Sequence, residues 1–362
     1  MKMKHMILSI IVITSLLAHA FPNVGKIAFR VVTMDERTTN PCENVLVKAV
    51  FTDSPTRWGG DSVERVEKQT TNEKGICRFT GTSNHGSASF VVKAMDGYYA
   101  TPTVRYAETN EMSSVIPISY KCEPYDCVYT TILQRVEHPI PLYVQRAILD
   151  GGRNSVGGFD GTNSVLRFDF VVGDWLPPEG KGEYADMTVT TEYKLRDIVK
   201  DGKYRIQVFY DFLSRIEFSG PGNGLVEKST SGQNCGIRIR TAPEDGYVPS
   251  KAIRFGRRRK ITSTVGVYPQ YYEDSDSDMN YCFRIRSRYD EAGTLVEAYY
   301  GKIYGDFRFK GTDKGGFTGM NFLYYLNPTP NDRNLEWDMK NNLCDKPLRM
   351  DYEPIGVRYR EP

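Results

Sequence analysis

The stretch VLRFDFVV, residues 165–172, decides the fold class, because apolar and polar side chains alternate along it. A period of two is typical of a β-strand with one buried face and one solvated face. Arg167 and Asp169 are predicted to face solvent. The side chains predicted to face the core are Leu166, Phe168, Phe170 and Val172.

The same alternation recurs along the chain, for example in ADMTVTTEYKL, residues 185–195. Further strands are predicted at residues 26–33, 45–51, 88–95, 128–136, 204–212, 280–289, 297–309 and 317–326. The tetrapeptide at residues 290–293 is typical of a hairpin turn. We therefore predict an all-β protein with two consecutive β-sandwiches, the first immunoglobulin- or transthyretin-like and the second larger and jelly-roll-like.

The start of the chain has the pattern of a secretory signal. Lys2 and Lys4 precede an apolar run at residues 6–17, and small residues stand at Ala18 and Ala20. We predict a signal peptide at residues 1–20, which places the mature protein outside the cytoplasm, secreted or periplasmic, without membrane insertion after cleavage.

The domain boundary is predicted beside two prolines. Pro139 and Pro141 follow the strand predicted at residues 128–136 and stiffen the exit from it, as linker prolines do. The predicted domains are residues 21–137 and residues 138–362.

The balance of charge limits the classes of partner. The chain has 47 basic and 45 acidic residues, and the numbers become equal when Lys2 and Lys4 leave with the signal. A balanced chain has no global field for nucleic acid, so no such partner is predicted. Of the four histidines, only His85 and His138 follow the signal, which argues against a multi-histidine zinc site. We predict no cofactor and no catalytic residue.

All seven cysteines lie in the predicted mature chain, where export permits disulfides. An odd number leaves at least one thiol unpaired within the chain, and Cys344 is the predicted odd one. A zinc knuckle at Cys122 and Cys127 would need a second cysteine pair of similar spacing. The predicted disulfides join Cys42 to Cys77, Cys122 to Cys127, and Cys235 to Cys282.

The first domain resembles the carboxypeptidase regulatory-like, or transthyretin-like, β-sandwich. The stretches that carry the resemblance are GKIAFRVV (25–32), NPCENVLVKAV (40–50) and TTNEKGICRF (70–79). Asn44 stands where glycine is usual in the family, and Cys77 takes the place of the usual first aromatic residue. The resemblance covers about the first third of the chain. It implies a non-catalytic spacer or docking module and transfers no catalytic residue.

The remainder of the chain resembles uncharacterised exported proteins of Verrucomicrobia- and Lentisphaerae-type bacteria. The resemblance is carried by residues 172–187, 299–309 and 325–338. It implies export and names no activity.

Two arginine-rich stretches are candidates for binding an anion. RFGRRRK, residues 254–260, contains Arg257 and Arg258, while Arg284, Arg286 and Arg288 are predicted to share one face of a strand. Guanidinium groups bind carboxylate and sulfate in a bidentate manner, so a sulfated or uronic polysaccharide would suit such a patch. The alternative is a solvated charged face.

Alternating aspartates offer a candidate calcium site. Asp274, Asp276 and Asp278 could supply oxygen ligands from one loop, but Met279 stands where an EF-hand has glycine. A solvated acidic loop is the favoured interpretation.

The segment YLNPTPNDRNLEWD, residues 325–338, contains Glu336 and Asp338 two residues apart, as in a β-sandwich glucanase. The final glutamate of the Glu-x-Asp-x-x-Glu pattern is replaced by Asn341. We predict instead that this segment ends the strand 317–326 and lies at the surface, with Arg333 paired to a nearby carboxylate. Trp337 is either a sugar-binding aromatic residue or a core residue.

Three functions follow from these patterns. The leading hypothesis is an exported, non-catalytic binding or display protein that recognises glycans or surface proteins. The second is a polysaccharide-active enzyme with catalytic carboxylates in the second domain. The third is a structural spacer or a subunit of a surface assembly.

Overall fold

The computed structural model describes a set of ranges that covers most of both predicted domains: residues 25–53, 63–83, 87–99, 104–105, 120–121, 125–150, 165–201, 205–229, 239–262, 266–274, 279–311 and 317–344. The predicted signal peptide lies outside these ranges, as do Cys122, Cys235, Asp276 and Asp278. The described residues form strands and turns without a helix, so the all-β class is confirmed. They fall into two compact units, unit 1 up to Glu137 and unit 2 from His138 onward.

Eight strands of unit 1 lie within the described ranges: β1 (Gly25–Asp35), β2 (Leu46–Asp53), β3 (Val63–Thr70), β4 (Ile76–Ser83), β5 (Ser87–Val92), β6 (Val104–Arg105), β7 (Tyr120–Lys121) and β8 (Cys127–Leu133). They form two sheets. In one, β1 pairs with β4 on one side and with β7 and β8 on the other, and in the second the order is β3-β2-β5-β6.

The core of unit 1 is built from the apolar positions of these alternating strands. Phe29 stacks on Phe79 of its own sheet, with ring centroids 5.4 Å apart, and on Phe90 of the facing sheet at 5.6 Å. Both sheets therefore contribute to one cluster of buried side chains, and unit 1 is a sandwich. Each such side chain contributes about 1.5–3 kcal/mol when it is fully buried.

Two turns of unit 1 use residues with positive φ. Asn44, where the resembling family has glycine, has φ 60°, and Gly75 has φ 69°. The left-handed region is open to glycine and tolerated by asparagine. The Asn72 side chain closes the second turn by accepting hydrogen bonds from the amides of Lys74 and Ile76, both at 3.0 Å.

The cysteines within the described ranges are free thiols, so the predicted Cys42–Cys77 disulfide is wrong. Both side chains pack in the apolar core of unit 1, as small hydrophobic side chains do. Cys127 and Cys282 are also free, and burial raises the pKa of Cys77 and of Cys282 to about 11. Such thiols are poor nucleophiles at neutral pH.

Unit 2 has twelve strands within the described ranges: β9 (Ile140–Asp150), β10 (Val165–Asp169), β11 (Asp174–Trp175), β12 (Met187–Asp201), β13 (Arg205–Phe218), β14 (Gly224–Ser229), β15 (Ser250–Thr262), β16 (Gly266–Glu273), β17 (Met279–Tyr289), β18 (Leu295–Gly311), β19 (Phe317–Leu326) and β20 (Trp337–Asn342). They form one sheet in the order β11-β10-β12-β13-β15-β16 and a second in the order β14-β17-β18-β19-β9-β20. The pairs are antiparallel except β20 with β9.

One large aromatic core joins the two sheets of unit 2. Phe255 of β15 stacks on Phe309 of β18 with ring centroids 5.1 Å apart, and Phe170 stacks on Phe283 of β17 at 4.4 Å. The larger sandwich predicted for the second domain is therefore present as two facing six-stranded sheets in the described part of the chain.

The stretch 165–172 forms a shorter strand than predicted. β10 ends at Asp169, whose carboxylate accepts hydrogen bonds from the amides of Val171 and Val172, both at 3.0 Å. The Gly173 amide then closes the turn on the Asp169 carbonyl, with φ 72° at Gly173. As a result Asp169 is buried and Val172 is exposed, which reverses the prediction for these two side chains.

No helix among the described residues is long and apolar enough to cross a membrane.

Candidate functional site

The arginines of β17 donate to groups of the protein itself. The Arg284 guanidinium donates from Nε to the Gly222 carbonyl at 2.7 Å and from a terminal nitrogen to the Glu244 carbonyl at 3.2 Å. It also lies 4.5 Å from the centroid of the Tyr247 ring. Arg284 is buried, so its guanidinium group fastens surrounding loops to the strand.

Arg286 forms a buried ion cluster with two aspartates. Its Nε donates to Asp186 at 2.9 Å, and a terminal nitrogen donates to Asp169 at 2.8 Å. The aspartate side chains are 0% and 1% exposed, while the arginine side chain is 28% exposed. Burial raises the pKa of Asp186, and the hydrogen bonds from Arg286 and from the Phe170 amide oppose that shift. The cluster joins the turn after β10 to the facing sheet.

The predicted common face of Arg284, Arg286 and Arg288 does not form. The pairing of β17 with β18 is irregular between Ile285 and Arg288, and Arg286 itself has φ 54°. A bulge of this kind changes the direction of the side chains that follow it. Arg288 alone is well exposed, at 68% of its side chain, and it pairs with Glu297 on β18.

The second predicted stretch lines an open cleft. The cleft has a volume of about 330 Å³ and is formed by β12, β13 and β15. We call it the arginine cleft, and its lining residues are Arg196, Asp197, Phe209, Asp211, Arg257, Arg258 and Arg259. Arg257 and Arg258, predicted from sequence, are thus brought together with two further arginines.

A β-bulge places Arg196 in this lining. The register of β12 against β13 shifts between Leu195 and Asp197, which leaves Arg196 as the extra residue. Arg196 pairs with Asp211 on β13. The bulge therefore turns a guanidinium group toward the three arginines of β15.

The carboxylates of the arginine cleft position the arginines. Asp211 accepts a hydrogen bond from the Tyr272 hydroxyl at 2.5 Å and lies 3.9 Å from Nε of Arg258. Asp197 lies 3.5 Å from a terminal nitrogen of Arg259. Partial burial by itself would raise the pKa of Asp211, but the hydrogen bonds from Tyr272 and Arg196 lower it below its usual value. Four arginines against two aspartates leave the lining positively charged.

A second cleft in unit 2, of about 240 Å³, is lined mainly by aromatic side chains. We call it the aromatic cleft, and its lining residues are Tyr210, Phe255, Gly256, Tyr271, Tyr272, Glu273 and Phe309. The Arg258 guanidinium lies 3.9 Å from the centroid of the Tyr272 ring, and the Arg257 guanidinium lies 5.3 Å from that of Tyr271. Each arginine–tyrosine pair is held by cation–π attraction, and the register of β15 against β16 places the two pairs on opposite faces of the sheet.

Sequence reasoning identified Arg257 and Arg258 in the arginine cleft but missed Arg196, Asp211 and Tyr272. Asp211 and Tyr272 are 61 residues apart along the chain and meet only through the strand order. Arg259 belongs to the basic run at residues 254–260, and that run is the sequence feature that indicated the site.

The segment 325–338 ends β19 as predicted, since regular pairing stops at Leu326. The prediction that it lies at the surface is wrong for Glu336, which is buried and accepts a hydrogen bond from the His138 amide at 2.7 Å. Arg333 pairs with Glu244 at 2.8 Å rather than with a carboxylate of its own segment. Glu336 thus holds the chain at the entry to β9.

Trp337 belongs to this packing and not to either cleft. Its ring lies 5.8 Å from that of Tyr325, and its Nε1 donates to the Asn341 carbonyl at 3.2 Å. Asp338 accepts hydrogen bonds from the amides of Lys340 and Asn341 at 2.9 and 2.8 Å. These contacts lie in the irregular part of β20, whose register against β9 shifts between Trp337 and Asn342.

Asp274 follows β16 and is exposed, and its amide donates to the Arg254 carbonyl at 2.8 Å. Within the described ranges, no group of three or more histidine, cysteine, aspartate or glutamate side chains is arranged to hold a metal ion. The other two aspartates of the calcium candidate lie outside those ranges.

No family model and no curated protein matches the chain. Solved structures that are similar to it include the C-terminal domain of the shaft pilin SpaA from Lactobacillus rhamnosus GG, at 11% identity and a TM-score of 0.18, covering 31% of this chain and 98% of that chain. The longer shaft pilin SpaA from the same organism is similar at 9% identity and a TM-score of 0.19, covering 55% of this chain and 90% of that chain. At these TM-scores the likeness carries no argument about fold or function.

Proposed function

We propose that the chain is an exported, non-catalytic binding or display protein that recognises anionic glycans through the arginine cleft of unit 2. The observation that supports this most is the grouping of Arg196, Arg257, Arg258 and Arg259 around one open cleft with only two carboxylates. Excess guanidinium charge at an accessible concave surface favours carboxylate or sulfate ligands.

The state of the charged groups supports a binding role rather than a hydrolytic one. Asp211 has a lowered pKa and so remains ionised at neutral pH, whereas a general acid needs a raised pKa. Glu336, one of the two glucanase-like carboxylates, accepts a hydrogen bond from the His138 amide. Neither carboxylate matches the donor that glycoside hydrolysis requires.

For unit 1 we propose the role that its resemblance implies, a non-catalytic spacer or docking module. The positive φ of Asn44, where the family pattern has glycine, supports the resemblance on which this proposal rests. The signal-like start of the chain supports export.

Titration of the mature chain with anionic and neutral polysaccharides tests the binding role. We expect hyaluronan to bind and dextran, which is uncharged, not to bind. The affinity for hyaluronan should fall as salt rises, because salt screens exposed charges. Arg258→Ala together with Arg259→Ala should weaken hyaluronan binding at least tenfold, since each charged hydrogen bond is worth about 1.5–3 kcal/mol.

The matched control is Arg288→Ala together with Arg333→Ala. It removes the same charge from unit 2 at positions outside the arginine cleft. We expect hyaluronan affinity within about threefold of the parent chain, the residual loss coming from net charge. Equal losses in the two double variants, or no binding of any anionic polysaccharide, would contradict the proposed function.

A further inference from the structure

The strand β3 lies at the edge of its sheet in unit 1. Among the strands within the described ranges it pairs only with β2, and the sheet runs in the order β3-β2-β5-β6. Glu64, Arg65, Val66 and Lys68 of this strand are all exposed. The edge of β3 that faces away from β2 presents backbone amides and carbonyls, and such an edge is a template for pairing with another chain.

The charges along β3 are ordered so that the strand complements itself. The pentapeptide ERVEK has Val66 at its centre. When two antiparallel copies meet with Val66 opposite Val66, Glu64 lies opposite Lys68 and Arg65 lies opposite Glu67. Every charged side chain of the pentapeptide then faces a side chain of opposite charge.

Neighbouring registers bring like charges together instead. A two-fold axis perpendicular to the sheet relates two antiparallel copies, so one residue of β3 always faces itself on that axis. Moving the axis by one residue sets Arg65 against Arg65 or Glu67 against Glu67. Moving it by two sets Glu64 against Glu64 or Lys68 against Lys68. Like charges directly opposite one another are destabilising, so the charge order favours the register centred on Val66.

From this order we infer that unit 1 forms a symmetric dimer in which β3 pairs with β3 of a second copy, Val66 facing Val66. The two four-stranded sheets then become one continuous sheet across the interface. This inference concerns association of the chain with itself and does not depend on the proposed function.

Both faces of the sheet contribute side chains to this interface. On one face Val66, at 44% exposure, lies in register with the half-buried Val50 of β2, and the two copies of Val66 meet on the axis. On the other face Arg65 is already paired with Glu67 at 3.0 Å, and its guanidinium lies 4.7 Å from the centroid of the buried Phe51 ring. A second copy adds a carboxylate beside each Arg65, so positive and negative charges alternate around the axis on this face.

Sedimentation velocity of the mature chain measures the association. We expect a monomer–dimer equilibrium at concentrations of about 1–300 µM, because an interface of one strand pair is small. Lys68→Glu and Glu64→Lys should each weaken the dimer at least tenfold, since each sets two like-charged pairs in place of two opposite-charged pairs. Both positions are exposed, so neither substitution disturbs the core of unit 1.

The matched control is Lys74→Glu. Lys74 is exposed in the turn before β4, outside the proposed interface, and the substitution makes the same change of charge as Lys68→Glu. We expect the dimer of this variant to be within about threefold of the parent chain, the difference coming from net charge. Equal weakening by Lys74→Glu and Lys68→Glu would overturn the assignment to β3.

Recombining the charges tests the register itself. The double variant Glu64→Lys with Lys68→Glu restores opposite charges in each pair, so it should dimerise within about threefold of the parent chain. A mixture of the two single variants should form a heterodimer, because the two lysines of one chain then face the two glutamates of the other.

Three results would overturn the inference. The first is a parent chain that stays monomeric over the whole concentration range. The second is a dimer that persists in both single variants, because it would belong to another surface. The third is a failure of the double variant, or of the mixture, to restore the dimer.

Discussion

Arg286 and Arg258 both stand in strands of unit 2, but their surroundings differ. Arg286 places its guanidinium between two carboxylates that are almost fully buried, and the three charges join the two sheets of the sandwich. Arg258 lies over the Tyr272 ring with 65% of its side chain exposed, and its nearest carboxylate oxygen is 3.9 Å away. The Arg286 guanidinium makes its contacts within the fold, whereas the Arg258 side chain is largely exposed, as the proposed binding role requires.

The difference shows that the role of a strand arginine depends on where its sheet is irregular. The bulge in β17 aims Arg286 at the turn after β10, whereas the bulge in β12 adds Arg196 to an open surface. Both irregularities redirect a side chain, one inward and one outward.

Replacement of Arg286, the arginine of the buried ion cluster, should have the largest effect on stability. Arg286→Ala leaves Asp169 and Asp186 buried without their counter-charge, which typically costs about 3–5 kcal/mol. Urea unfolding of the mature chain measures the free energy of unfolding. Arg286→Lys, which keeps a positive charge, should recover part of the loss. A loss below about 1 kcal/mol for the alanine variant would show that the cluster is not structural.

Replacement of the buried Glu336 carboxylate should have the next largest effect on stability. Glu336→Ala removes the buried carboxylate that accepts the His138 amide, and we expect a loss of about 1.5–3 kcal/mol, the contribution of a hydrogen bond to a charged group. Glu244→Ala is the control, because Glu244 pairs with Arg333 at the surface and its side chain is 78% exposed. The control should cost less than about 1 kcal/mol. If the two variants were equally stable, the assignment of Glu336 to the fold would fail.

Asp35 in unit 1 is a buried carboxylate whose contribution to stability should depend on pH. Burial alone would raise its pKa, but hydrogen bonds from Arg135 at 2.7 Å and Tyr98 at 2.6 Å lower the pKa well below its usual value. A lowered folded-state pKa contributes stability above the unfolded pKa of about 3.9, and this contribution is lost as pH falls further. Asp35→Asn should therefore be less stable than the parent chain at pH 7.

The difference in unfolding free energy between Asp35→Asn and the parent chain should shrink progressively below about pH 5. Unfolding in urea at several pH values gives the comparison. A difference that stays constant from pH 7 to pH 3 would contradict the assignment of the effect to the Asp35 charge.

Arg258, whose side chain is largely exposed, should contribute least to stability. Arg258→Ala removes a cation–π contact and a distant charge pair at an exposed position, so we expect a loss of about 1 kcal/mol or less. Arg288→Ala, at 68% exposure, should behave similarly in urea unfolding. A loss above about 2 kcal/mol for Arg258→Ala would place it with the structural arginines.

Much of the fold follows from the two-residue period of the chain. The predicted strand at 317–326 matches β19, and the turn at 290–293 is closed by a hydrogen bond from the Gly293 amide to the Asp290 carbonyl at 3.0 Å. The end of β10 does not follow from that period. Asp169 occupies a position that alternation assigns to solvent, and its burial depends on a partner 117 residues away.

The candidate site was only partly predictable, because it too depends on partners that are distant in sequence. The run 254–260 shows that arginines are concentrated there, but a run cannot show which guanidinium groups meet carboxylates. Arg284 and Arg258 both stand in arginine-rich strands, but the loops at Gly222 and Glu244 accept hydrogen bonds from Arg284, which is buried. Partners distant in sequence therefore distinguish the buried structural arginines from the exposed arginines of the proposed site.

Arginine modification read by mass spectrometry tests the contrast most directly. The folded mature chain is treated briefly with phenylglyoxal, with and without hyaluronan hexasaccharide, and each arginine is followed by its peptide mass. We expect Arg258 and Arg259 to react quickly and to be protected by the hexasaccharide, while Arg284 and Arg286 stay unreacted in both samples. Rapid modification of Arg284 and Arg286, or no protection of Arg258 and Arg259, would contradict the account.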